Sequence, residues 1–172
     1  MIRSFPYFLL YFAVLLMQVF LFDKLLIFST MAPLVYIIFI ILLPVQLSQF
    51  QILMWGAFVG VTFDLAMGTS GLNSIATIFV SYLRFSILSS VVDKDLLMLG
   101  GAPTQGKIGF RRFSRYLFSM VYIHSAIFFV AESLNFVTWD YLLMRILVSG
   151  LVSVVAGWLI AGPFEKVLSR KF

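Results

Sequence analysis

The chain contains no cysteine. That excludes a disulfide framework, a thiolate metal site and a cysteine nucleophile. Charge is scarce: only 11% of the 172 residues are Asp, Glu, Lys or Arg, against about a quarter in an average soluble domain. No separate soluble domain can be cut from such a chain. HExxH, GxSxG and P-loop patterns are all missing, which removes the commonest signatures of hydrolases and nucleotide enzymes. The single histidine, His124, cannot build a metal site alone. With no cysteine to acylate and Ile2 in place of the second-position glycine that myristoylation needs, no lipidation motif is expected. The expectation is a protein that is not an enzyme, with no catalytic residues, cofactor or metal.

What is present is apolar. The chain is 62% hydrophobic with a mean hydropathy of +1.08, which places it among membrane proteins. The net charge of +5 then reflects cationic loops at a membrane rather than nucleic acid. Six apolar spans are expected, at 5–22, 26–45, 50–67, 72–92, 116–136 and 141–164, forming one integral domain over 1–172. Each approaches the roughly 20 residues a helix needs to cross a bilayer. The first reads as a retained span, because Asp23 and Lys24 follow it where a signal peptide has a small-residue cleavage site. The second either begins near Pro33 or is kinked there, and Pro44 marks its other end. With six spans, Arg3, the basic residues of the loop 93–115, and Lys166, Arg170 and Lys171 fall on one side. The other side receives Lys24 and Arg145. The expected location is a bacterial cytoplasmic membrane, with both termini in the cytoplasm.

Small and polar residues recur at helical spacing. Gly56, Gly60, Asp64 and Gly68 follow one another at steps of four, and Gly71 closes the turn into the next span. Such rows let helices approach closely in lipid. The fourth span carries Ser74, Thr77, Ser81 and Arg84, and the sixth carries Arg145, Ser149, Ser153, Gly157 and Ala161. The third, fourth and sixth spans are therefore expected to pack together. The first span, apart from Gln18, is bulky throughout, and is expected to face lipid or a partner's helix.

The charges within the spans need partners. Arg145 is expected to pair with Glu132 or Asp64 in a shared outer cluster, which either fixes helix orientation or serves a partner or ligand. Arg84 is expected to stretch toward the cytoplasmic interface. His124 reads as a hydrogen-bonded interior residue before a proton relay. In the loop, Lys107, Arg111, Arg112 and Arg115 alternate with aromatics. This basic end either lies on anionic headgroups or docks a cytoplasmic protein.

The pattern GxxxGxxxDxxxGxxGL from Gly56 to Leu72, the Tyr82-Leu83-Arg84 triplet, Gln18 in the first span and Pro33-Leu34-Val35 at the second resemble the MreD family of rod shape-determining proteins. The resemblance implies a compact six-helix bundle, similar to the substrate-binding subunits of energy-coupling-factor transporters. It also implies a non-catalytic scaffold of the cell-elongation machinery that maintains rod shape and lateral peptidoglycan synthesis. Its implied partners are MreC and, in the wider assembly, MreB, RodA and a penicillin-binding transpeptidase, besides membrane lipid. The alternative is a vitamin-binding subunit of such a transporter, with Asp64, Asn73 and Glu132 near the ligand. Against it, the first span lacks an AxxxA seam. A proton-coupled transporter built on His124, Glu132 and Asp64 ranks third, without an inverted repeat to support it.

Overall fold

Ser48 and Gln51 open the first long helix by reciprocal capping: the Gln51 N–H donates to Ser48 Oγ at 3.3 Å and the Ser48 N–H to Gln51 Oε1 at 2.9 Å. The helix ends at Gly68, whose φ of +69° only glycine adopts without strain. Around it, a computed structural model describes residues 4–22, 33–133 and 138–168. Among these the elements are all helical: α1 (Ser4–Leu16), continued by a π-helical turn (Met17–Phe22), then α2 (Ile38–Leu42), α3 (Gln49–Met67), α4 (Leu72–Val91), α5 (Lys94–Met98), α6 (Gln105–Ile108), α7 (Phe110–Glu132) and α8 (Trp139–Leu168). Pro6 lies in the first turn of α1, where a missing N–H costs nothing.

Four helices, α3, α4, α7 and α8, are long and apolar enough to cross a membrane. The apolar stretch Phe5–Leu21 is shorter. The long helices pack in the order α3–α4–α7–α8, with α1 and α2 laid against them. This corrects the expectation that the sixth span joins the third and fourth: the main partner of α8 is α7.

The second expected span is also different. Its residues 26–32 lie outside the described residues, and no helix starts at Pro33. Residues 33–35 are non-helical, a turn follows, and α2 is only five residues long. Residues 34–43 are buried, none more than 2% exposed. Pro44 does fall outside the helix, beyond Leu43. The fifth expected span starts early, at Phe110 behind Gly109 (φ +85°). The basic residues Arg111, Arg112 and Arg115 thus belong to α7, and Lys107 to α6, rather than to an irregular loop.

Candidate functional site

The buried segment 33–44 is the centre of the molecule. Non-helical backbone at membrane depth requires partners for its N–H and C=O groups, because hydrocarbon offers none. Here side chains from the π-helical turn after α1 and from α4, α7 and α8 supply them. Gln18 accepts from the Val35 and Tyr36 N–H groups at 2.7 and 3.2 Å, and its amide donates to the Pro33 carbonyl at 2.9 Å. Ser153 Oγ of α8 accepts from the Leu34 N–H at 2.8 Å and donates to the Ser149 carbonyl at 2.7 Å. At the other end of α2, Arg84 Nε donates to the Ile40 carbonyl at 2.9 Å, and its Nη2 to the Leu43 carbonyl. Tyr116 Oη donates to the Ile41 carbonyl at 3.3 Å.

This placement corrects the reading of Arg84. Its side chain is 1% exposed and does not stretch to an interface; the carbonyls where α2 stops lie closer, and that of Ile40 otherwise accepts only a long bond from the Leu43 N–H at 3.4 Å. Gln18, passed over as an isolated polar residue, is the clamp on the other end. Its signal in the sequence was its solitude: an amide in so bulky a helix is costly unless it is bonded.

Tyr36, at the turn before α2, joins a second network. Its hydroxyl lies 2.8 Å from Asn73 Oδ1 and 2.9 Å from His124 Nε2, and its ring stacks on Phe63 at 4.3 Å. Thr77 Oγ1 lies 3.4 Å from both the Tyr36 hydroxyl and His124 Nε2, and donates to the Asn73 carbonyl at 2.6 Å. Nδ1 of His124 has no hydrogen-bond partner among the described residues. His124 is thus an interior residue bonded through one nitrogen.

Asp64, in the last turn of α3, reaches across the turn to α4. It accepts from the Asn73 and Ser74 N–H groups, both at 2.9 Å, and from the Thr69 and Ser74 hydroxyls at 2.6 and 2.5 Å. Those two N–H groups are unpaired donors of the first turn of α4, so the carboxylate caps a neighbouring helix. The expected three-member cluster therefore separates. Arg145 pairs with Glu132 at 2.6 Å and lies over the Phe129 ring at 4.6 Å, while Asp64 belongs to the turn.

The expected glycine seam also divides. A Cβ on Gly56 would meet Ser81 Oγ at 2.3 Å, and one on Gly60 would meet the Ser74 Cα at 2.5 Å. These two sit in the α3–α4 contact. Gly68 and Gly71 do not: nothing lies within 4 Å of an added Cβ at either. Their φ values of +69° and +89° make them turn residues. On α8, Ser149 and Ser153 are buried, and a Cβ on Gly157 would stand 3.3 and 3.7 Å from the Leu117 and Ile38 side chains.

On the outer side of the bundle, a groove of about 650 Å³ lies between α1 and α3. Phe8, Tyr11 and Phe12 line one wall; Met54, Trp55 and Phe58 line the other. Among the described residues no three His, Asp or Glu side chains group to hold a metal ion.

Among the described residues the fold is all-helical, with four helices long and apolar enough to cross a membrane and a polar interior that clamps the segment 33–44. Compared with protein-family models, curated proteins and solved structures, the chain matches none.

Proposed function

We propose that the chain is a non-catalytic membrane scaffold of the bacterial cell-elongation machinery, an MreD-like protein that holds the single membrane span of MreC. In this reading the apolar elements form a six-span bundle in the cytoplasmic membrane, with both termini in the cytoplasm. MreB, RodA and a penicillin-binding transpeptidase make up the wider assembly. The observation that carries the proposal is the occupied interior. Residues 34–43 fill the middle of the bundle, held at both ends by Gln18, Ser153 and Arg84. A filled, internally bonded bundle is stiff and suits a platform. The aromatic groove between α1 and α3 is the surface for the partner span, since association in lipid depends on close packing and shape.

The vitamin-subunit alternative needs Asp64, Asn73 and Glu132 to be turned toward a ligand. Asp64 and Asn73 are spent on the α3–α4 turn, and Glu132 on Arg145.

The test is recovery of MreC with the purified protein in mild detergent. The Trp55→Ala, Phe58→Ala double variant should lose MreC while its thermal unfolding stays near that of the parent. A Gly56→Leu, Gly60→Leu variant should loosen the bundle, lose MreC and round rod-shaped cells. Undiminished MreC recovery and normal cell shape in both variants would refute the scaffold reading. A small organic molecule retained in stoichiometric amount would favour the transporter subunit instead.

A further inference from the structure

The polar end of α7 carries two cations without a partner among the described residues. Arg111 and Arg115 are exposed, stand one turn apart on α7, and make no hydrogen bond or ion pair with a described residue. Two of the acids at this end are engaged elsewhere, and the third, the exposed Asp95 of α5, makes no ion pair with either arginine. Asp93 binds Arg112 at 2.5 Å, and Glu165 accepts from the Gly106 N–H at 2.5 Å. Arg111 and Arg115 lie just before the apolar part of α7, where a helix that crosses a membrane would meet the headgroups.

Below them the same face turns aromatic. Arg111, Arg115, Phe118 and Tyr122 follow at steps of four, three and four, which keeps them on one stripe. Phe118 packs on Tyr122 with ring centroids 4.2 Å apart. Tyr122 lies against α8, its hydroxyl 3.2 Å from the Leu147 carbonyl and its ring 2.9 Å from where a Cβ on Gly150 would stand. Nearer the arginines, Phe110 meets Trp158 of α8 edge to face at 5.0 Å. Phe110, Phe118 and Trp158 are 54%, 51% and 37% exposed. The α7–α8 seam is therefore an apolar, ring-lined strip that ends at two guanidinium groups unpaired among the described residues.

We propose that this strip binds one anionic phospholipid, its phosphate held by Arg111 and Arg115 and one acyl chain lying along the α7–α8 seam. The charge is complementary, and guanidinium groups match phosphate oxygens in geometry as well as sign. The apolar strip continues from the cations into the hydrocarbon, as an acyl chain does from its phosphate. The site stands apart from the α1–α3 groove and does not depend on the scaffold reading.

The chain has three tryptophans, so the full-length Trp55→Phe, Trp139→Phe variant leaves Trp158 as the sole indole reporter. In detergent micelles this protein is titrated with phosphatidylglycerol or phosphatidylcholine brominated on the acyl chain. Phosphatidylglycerol should quench Trp158 saturably, at lower mole fraction than phosphatidylcholine. A cation near a membrane surface is worth about 1 kcal/mol toward anionic lipid. On that scale Arg111→Gln should weaken the preference about fivefold, and Arg111→Gln with Arg115→Gln about thirtyfold. Arg111→Lys with Arg115→Lys should retain part of it. Both arginines are exposed, so the variants should elute as the parent does. Equal quenching by the two lipids, or an unchanged preference in the double glutamine variant, would overturn the proposal. So would full competition by soluble glycerol phosphate, which would show a phosphate site without a lipid chain.

Discussion

The α3–α4 contact and the segment 33–44 solve the same problem in opposite ways. Both bury backbone inside a membrane bundle. In the α3–α4 contact the helices already satisfy their own hydrogen bonds, so closeness is limited only by side-chain bulk, and Gly56 and Gly60 remove it. In the segment 33–44 the helix is too short to satisfy its own ends, so long polar side chains reach in from elsewhere: Gln18 at the start and Arg84 at the finish. One region depends on atoms that are absent, the other on atoms brought from a distance. The first tolerates loss of polarity and not gain of volume. The second tolerates small changes in volume and not loss of polarity.

Substitutions should separate the two. The largest effect is expected at Arg84. Arg84→Met keeps most of the stem, leaves the Leu43 carbonyl without a donor at a cost of about 1–3 kcal/mol, and takes from the Ile40 carbonyl a charge-assisted bond of about 1.5–3 kcal/mol, leaving it the long Leu43 N–H bond. Thermal unfolding in detergent measures it. Arg84→Lys should restore only part, because a point-like ammonium cannot span two carbonyls as a planar fork does. Stability of Arg84→Met equal to the parent would break the comparison.

Next comes the glycine contact. Gly60→Ala sets a methyl group 2.5 Å from a backbone Cα, so α3 and α4 must separate, at a cost of roughly 1–3 kcal/mol. Gly56→Ala meets the Ser81 side chain first, and Ser81→Gly should rescue it. The coupling in that double-mutant cycle is expected at about 0.5–3 kcal/mol, whereas the same Ser81→Gly change should do little for Gly60→Ala. Tyr36→Phe should cost less, about 1 kcal/mol for the hydroxyl that links Asn73 and His124. The smallest effect belongs to Glu132→Gln. The pair with Arg145 has side chains 38% and 12% exposed, and a partly exposed ion pair contributes about 0–1 kcal/mol. A loss at Glu132 as large as that at Arg84 would mean that the pair belongs to the interior after all.

Spacing made some of this legible beforehand. Gly56 and Gly60 were readable as a contact because a period of four in an apolar run has one physical use. Pairing of Arg145 with Glu132 was readable as one of two options, because charges at similar depth in lipid seek each other. Gly68 continued the same row and Gly71 closed the turn after it, and left-handed backbone rather than packing explains both. Asp64 looked like the start of an ion cluster and is a helix cap, since two N–H groups of α4 lay nearer than any guanidinium. The segment 33–44 was the least legible. Its apolar composition reads as another span, and composition does not register whether a chain is helical or clamped.

By itself the sequence determined that the chain is helical, apolar enough to enter a membrane and without the usual catalytic motifs, because those properties follow from residue type and period. The tertiary structure alone decided that Arg84, Gln18 and Ser153 turn inward onto a short buried segment. Each of those side chains serves backbone at least 15 positions away, and no local pattern encodes which distant carbonyl or N–H will arrive without a partner.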